Sequence, residues 1–163
     1  MEQHISMAKC LLEIQNHVND LLGEAGIDTL VSSEWAKLDE MASLLEPFAF
    51  HTDILQTDYQ SMSYILPSLL DLECHLLQFP SAKTAATLML SDFRSRFAII
   101  LDPQCHNFNP TPVAACLLDH TVAAVLKTPE TQHLMEAAKA YLISQVIVNF
   151  LLTRLCRKLC TPP

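Results

Sequence analysis

Two adjacent side chains that could support acid–base chemistry, Asp119 and His120, follow the apolar run of residues 113–118. A carboxylate beside an imidazole is an arrangement that enzymes use to orient a general base. Aspartate is also favoured at the start of a helix, where its side chain accepts a backbone N–H. The Leu-Asp-Pro sequence at residues 101–103 fits that second role, because proline suits the first helical position. We therefore predict that Asp119 caps a short helix over residues 120–127, with His120 where proline would stand, and that neither residue is catalytic.

Cysteine and histidine occur in patterns that only partly resemble a metal site. Cys74–His75 and Cys105–His106 are sequence neighbours, and neighbours on a helix point about 100° apart. Cys156 and Cys160 share a helix face, but a structural zinc site needs two more ligands. The six cysteines contain no CxxC motif. We predict no metal and no cofactor in this chain, and buried structural thiols in a reducing compartment.

The remaining candidates for catalysis are carboxylate pairs. Asp39–Glu40 and Asp71/Glu73 fall in helical patterns, where we expect them to face solvent. A two-metal nuclease needs carboxylates that converge from several elements, and the sequence indicates no such convergence. No HExxH or GxSxG motif occurs. The sequence therefore predicts a chain that is not an enzyme and has no catalytic or cofactor-binding residues.

The elements that would position these side chains follow helical periodicity. An apolar stripe at residues 7, 11, 14, 18 and 21 predicts a first helix that faces the core and ends at Gly23. Later helices contain Pro47 and Pro67, which we expect to kink them. Only 2 glycines occur and no long β-alternation is present. We predict a single all-α domain over residues 1–163, a multi-helix bundle, with at most one short extended piece near Val113.

The last predicted helix, from Pro129 to about Leu159, is the longest and the most apolar. Thr128 fits its N-cap. Polar residues at 144, 145 and 149 interrupt an apolar run that is too short to span a membrane, so we expect no membrane association. Between Tyr141 and Leu155 the helix is apolar nearly all round. Such a helix is either central to the core or paired with another copy.

Charge is distributed unevenly along the chain. Residues 1–80 hold two Lys/Arg against 13 Asp/Glu, whereas residues 81–163 hold eight against five. The acidic half disfavours nucleic acid on its surface and favours a basic protein partner. The basic cluster near the C-terminus provides the candidate nucleic-acid contacts: Arg154, Arg157 and Lys158.

Five short motifs in order carry a resemblance to a known family. They are Trp35; Leu44–Phe48 with Thr52; Ile65–Pro67; Arg96–Phe97; and Ala115–Asp119. In this order they resemble the helical region of hAT-superfamily transposases over about residues 30–145. In that family a large helical domain is inserted into an RNase H-like core that carries a DDE triad, and no position here matches the triad. Residues 146–163 fit the family poorly.

The resemblance implies a domesticated nuclear protein with BED-type or C2H2 zinc fingers elsewhere on a longer chain. Zinc would then be bound only by those fingers, which would also make the main DNA contacts. This domain would act as a non-catalytic protein-interaction or dimerisation module of a transcription or chromatin regulator, with a nuclear protein partner or a second copy of itself. The alternatives are a helical domain that contacts DNA through the basic C-terminal cluster and an inactive fragment of a DDE transposase.

Overall fold

The computed structural model describes residues 2–57, 62–79 and 82–159, with side chains described between residues 4 and 150 of these ranges. The described residues form seven α-helices and no strand, which confirms the all-α prediction. The helices are α1 (Glu2–Glu13), α2 (Gln15–Glu24), α3 (Ser32–Gln56), α4 (Ile65–Gln78), α5 (Lys83–Leu101), α6 (Thr111–Leu118) and α7 (Gln132–Leu159). Short 3-10 turns occupy Met62–Tyr64, Ala123–Lys127 and Pro129–Thr131.

The chain divides into two compact units, each of which is discontinuous in sequence. Unit 1 comprises residues 1–59 and 70–93, and unit 2 comprises residues 60–69 and 94–163. Each has its own buried side chains, as described below. The prediction that residues 1–163 form one domain stays a prediction.

Unit 1 is built around α3, against which α1 packs. Trp35 is buried near the start of α3, and its indole N–H donates to Asn19 of α2 at 3.2 Å. Farther along α3, the ring of Phe48 meets Phe93 edge to face, with ring centroids 6.5 Å apart. The apolar residues buried in this unit are Ile5, Trp35, Ala42, Leu44, Ala49, Leu72, Leu76, Ala86 and Phe93. Helix α3 therefore forms the central element of this unit.

Unit 2 is built around α6, which packs against the Met62–Tyr64 turn and against α7. Its buried apolar residues are Leu66, Leu69, Val113, Ala114, Cys116, Leu126, Leu134 and Ala138. Leu134 and Ala138 lie one turn apart at the beginning of α7, so this end of α7 is the part that enters the core. The extended piece that we predicted near Val113 is wrong, because Val113 lies within α6 and is fully buried.

Both internal prolines are accommodated without ending a helix. Pro47 lies inside α3, which continues on both sides of it. Pro67 falls in the first turn of α4, where the missing N–H has no intrahelical acceptor to lose. Gly26, and not Gly23, takes the left-handed conformation that closes α2, with a φ of 67°. Helix α2 therefore ends at Glu24, just after the predicted end at Gly23.

The predicted inner stripe of the first helix is wrong in orientation. Ile5 is buried, but Met7, Ile14 and Leu21 are 65%, 44% and 65% exposed. Leu11 and Val18 are half-buried. The prediction of one continuous helix is also wrong, because the chain is divided at Ile14 into α1 and α2, and three of the five stripe residues face outward.

Candidate functional site

Asp119 links the end of α6 to the turn that follows it. Its Oδ1 accepts the backbone N–H of Thr121 at 3.0 Å and the hydroxyl of Thr121 at 2.7 Å, which is the Asx-turn form of a cap. Its backbone carbonyl accepts the N–H of Ala123 at 2.9 Å. The prediction that Asp119 caps the start of a helix over residues 120–127 is wrong, because Asp119 is the C-cap of α6 and the 3-10 helix Ala123–Lys127 begins after Val122.

Ser63 is the partner of Asp119 that sequence reasoning missed. Its hydroxyl donates to Oδ2 of Asp119 at 2.6 Å across 56 residues of sequence, and Ser63 itself is buried. Hydrogen bonds from Ser63 and from Thr121 lower the pKa of Asp119 to about 2. No local sequence pattern links residues 63 and 119, so only the packing of the Met62–Tyr64 turn on α6 reveals the pair.

The geometry around Asp119 does not form a catalytic triad. In a triad an imidazole lies between the serine and the carboxylate and accepts the serine proton. Here the Ser63 hydroxyl donates directly to Asp119, whose low pKa makes it a weak base at neutral pH. His120 lines a pocket of about 440 Å³ beside them, with Met62 and Leu118. The contacts of Asp119 are those of a structural tie between two segments of unit 2.

A second carboxylate–imidazole pair lies in unit 1. Nε2 of the buried His51 is 2.8 Å from Oδ2 of Asp71, whose side chain is largely exposed. The other ring nitrogen, Nδ1, is buried without a hydrogen-bond partner. A general base must reach the proton it removes from a substrate, and this nitrogen is enclosed. The pair joins α3 to α4 within the unit, and its imidazole is enclosed whereas the Asp71 carboxylate is exposed.

The cysteines differ in environment more than we predicted. Cys116 is buried, and burial followed by the charge of Asp119 raises the pKa of its thiol to about 11. Such a thiol stays protonated and is a poor nucleophile and metal ligand. Cys10 and Cys74 are exposed, so the prediction of buried thiols is wrong for these two. In the described part of the chain no group of three His, Cys, Asp or Glu side chains is placed to hold a metal ion.

The largest departure from expectation is on α7. Every residue from Ile143 to Phe150 is exposed, so the interpretation of this stretch as a core helix is wrong. Its exposed apolar side chains are Ile143, Val146, Ile147, Val148 and Phe150, each between 48% and 68% exposed. Four of them, at residues 143, 146, 147 and 150, follow the i, i+3, i+4, i+7 spacing of a single helical stripe. We call these four residues the α7 stripe.

The residues on either side of the α7 stripe determine what it could bind. No Asp, Glu, Lys or Arg occurs between Lys139 and Arg154, so the stripe lies in an uncharged stretch of helix. The candidate nucleic-acid contacts Arg154, Arg157 and Lys158 follow in the last turns of α7, and their side chains lie outside the described residues. The stripe could have been found from its spacing, but its exposure could not.

Comparison with models of protein families, with curated proteins and with solved structures gives no match. None of the helices within the described residues is long and apolar enough to cross a membrane.

Proposed function

We propose that this chain is a non-catalytic protein-interaction module that pairs with a second copy of itself through α7. The observation that supports this proposal is the exposure of the α7 stripe. Large apolar side chains at helical spacing on one exposed surface are a usual mark of a protein contact. The internal hydrogen bonds of Asp119 and the buried Nδ1 of His51 support the non-catalytic part of the proposal.

A helix that protrudes from its unit gains little stability by itself. Isolated helices shorter than about 12–15 residues are marginal in water, and most helical stability in proteins comes from packing an apolar face. From Ile143 onward α7 has no buried residue among those described. Pairing of the α7 stripe would cover its apolar surface and stabilise this part of the helix.

The charges along α7 favour a second copy in the antiparallel orientation. The uncharged stretch between Lys139 and Arg154 lets two stripes meet without bringing like charges together. In a parallel pair the three cations of residues 154–158 would lie beside the same three cations. In an antiparallel pair they would lie near the start of the other α7, where Glu130 and Glu136 offset Lys139 and no cluster of cations is found. The opposed helix dipoles add a smaller term of the same sign.

For the biological setting we propose a transposase-derived nuclear regulator of transcription or chromatin. The support is the ordered resemblance of residues 30–145 to the helical domain of hAT transposases. Zinc fingers outside this chain would bind the zinc and make the main DNA contacts, and this module would pair two such proteins or recruit a nuclear partner.

Sedimentation velocity of the isolated chain tests the pairing. We expect a dimer at micromolar concentrations, and a monomer for Val146→Lys/Ile147→Lys, which places charge in the centre of the stripe. Leu118→Lys is the matched control, because Leu118 is 71% exposed in the same unit but lies on α6. A wild-type chain that stays monomeric at high concentration would contradict the proposal, as would equal dissociation in the control.

The competing proposal is direct DNA contact through Arg154, Arg157 and Lys158. It is supported by the clustering of three of the ten Lys/Arg within five residues of α7. Phosphate contacts would give binding that weakens steeply with salt. In a gel-shift experiment at low salt, a complex that is lost on replacing all three residues with Gln would favour this proposal, and absence of a complex would exclude it. DNA cleavage by the chain with Mg²⁺ or Mn²⁺ would overturn the non-catalytic assignment.

A further inference from the structure

The outer face of α1 and α2 carries a second row of exposed apolar side chains: Met7, Ile14 and Leu21. These residues are spaced by seven, which is two helical turns, with Met7 on α1, Leu21 on α2 and Ile14 at the junction of the two helices. Cys10 and His17 occupy the intervening positions and are also exposed. Together these five residues have the spacing of the a and d positions of a two-helix seam. We call this surface the outer α1–α2 face.

The inner side of α1 is occupied, and α2 is tied to α3 through one side-chain hydrogen bond, so the apolar row lies on the outer side of both helices. Ile5 is buried and α1 packs on α3. Lys9 is paired with Glu46 of α3, and Asn19 accepts the hydrogen bond from Trp35. The α1 part of the outer α1–α2 face therefore lies on a helix that packs on α3, and the whole row is already exposed within unit 1.

Acidic side chains run along one edge of this face. Glu13, Asp20 and Glu24 are all exposed and project to the same flank of the row. Between residues 10 and 36 the chain has five Asp/Glu and no Lys or Arg. Lys9, the one Lys/Arg in α1 and α2, is held by Glu46. A partner seated on Met7, Ile14 and Leu21 would therefore meet uncompensated negative charge along its edge.

The acidic edge favours some binding partners for the outer α1–α2 face and disfavours others. A second copy in the antiparallel orientation would place one acidic edge against the other, and like charges across an interface oppose association. DNA and an anionic membrane surface would be repelled for the same reason. A partner helix with an apolar seam, and with Lys or Arg beside that seam, complements both the apolar row and the acidic edge, as in other helix-in-groove contacts.

We propose that the outer α1–α2 face binds an amphipathic helix of a partner protein, with the partner's apolar seam on Met7, Ile14 and Leu21 and its Lys or Arg residues along Glu13, Asp20 and Glu24. This inference rests on the proposed function as a protein-interaction module, but it concerns a different unit and a different partner from the α7 stripe. The two faces would allow a paired chain to carry two copies of the recruited helix.

The test uses a fluorescein-labelled 21-residue peptide with Leu at the a and d positions and Lys at the e and g positions. Fluorescence anisotropy with the whole chain should show saturable binding. Binding should weaken at least about tenfold for Met7→Gln/Leu21→Gln, and by a similar factor for Glu13→Gln/Asp20→Gln/Glu24→Gln. A peptide with Glu in place of Lys should not bind.

Leu88→Gln is the matched control, because Leu88 is 67% exposed in the same unit but lies on α5. It should bind the peptide as the wild type does, and so should Val146→Lys/Ile147→Lys, whose α7 stripe is disrupted. No binding, equal binding of the Glu peptide, or equal weakening in the Leu88 variant would overturn the inference. Loss of self-association in Met7→Gln/Leu21→Gln would assign the face to a second copy and overturn it too. Because self-association and peptide binding are measured separately, failure of the α7 proposal is distinguishable from failure of this one.

Discussion

The α7 stripe and the outer α1–α2 face share helical spacing and exposure but differ in charge and in support. The α1–α2 face has an acidic edge and lies on α1, which packs on α3, and on α2, which the Asn19–Trp35 hydrogen bond ties to α3. The α7 stripe lies on a stretch that is exposed all round and has no charged residue from 140 to 153. Apolar spacing alone would make the two surfaces equivalent. Their surroundings predict different partners: a basic helix for the first and a second copy for the second.

The difference in support has a physical consequence for folding. The inner side of α1 is stabilised within unit 1 whether or not a partner is bound. In the pairing that we propose, the end of α7 would gain helical stability from its partner, because none of its described residues from Ile143 onward is buried. We therefore expect order to be coupled to association at α7 and not at α1.

The largest effect that we expect is the difference in lost stability between a substitution in the core and a substitution on an exposed face. Leu44 of α3 has no exposed surface, and Leu44→Ala should lower the free energy of unfolding by about 2–5 kcal/mol through lost burial and a residual cavity. Leu21→Ala, at a position that is 65% exposed, should change it by less than about 0.5 kcal/mol. Urea titration followed by circular dichroism measures both. A large loss in Leu21→Ala would show that the α1–α2 face is covered within the folded chain.

A smaller effect separates the two faces by their electrostatics. Raising NaCl from 50 to 500 mM shortens the screening length severalfold and should weaken binding of the basic peptide about tenfold or more. The same change should leave dimerisation through the uncharged α7 stripe within about twofold. Anisotropy and sedimentation in the same buffers give the two values. Equal salt dependence of peptide binding and of dimerisation would contradict the electrostatic difference between the two faces.

The smallest effect concerns Asp119, which with its hydrogen-bond partners Ser63 and Thr121 forms a polar cluster. We assign this cluster to folding stability and to neither apolar face. Because hydrogen bonds lower the pKa of Asp119 in the folded chain from 3.8 to about 2, its contribution to stability is fully present above pH 4. That contribution is lost as pH falls from about 4 towards 2. The melting temperature of Asp119→Asn should therefore be lower than that of the wild type at pH 6, and the gap should narrow by pH 2.

Thermal melts of the two chains at several pH values measure that gap, and Ser63→Ala should reproduce part of it. A gap that does not depend on pH would contradict the role assigned to the Asp119 charge. Peptide binding to the α1–α2 face should be the same in Asp119→Asn and in the wild type at pH 7, because the cluster belongs to unit 2.

Sequence patterns predicted the helices better than their orientation. The all-α class and the start of the last helical segment near Pro129 followed from period and proline position, which act locally. The partner Ser63 could not be predicted, because 56 residues separate it from Asp119. Apolarity left residues 143–150 as either a core helix or a paired one, and only the packing of the folded chain shows that this stretch is exposed. The rotation of α1 depended on the packing of Ile5 and Lys9 against unit 1, which no single-helix pattern contains.

Hydrogen–deuterium exchange of the backbone between Tyr141 and Phe150, measured as a function of protein concentration, is the sharpest test of pairing through the α7 stripe. We expect fast exchange in dilute samples, slower exchange as copies pair, and loss of this dependence in Val146→Lys/Ile147→Lys. Segments that cover α3 should exchange slowly at every concentration. Exchange between residues 141 and 150 that is independent of concentration in the wild type, whether fast or slow, would contradict pairing through the α7 stripe.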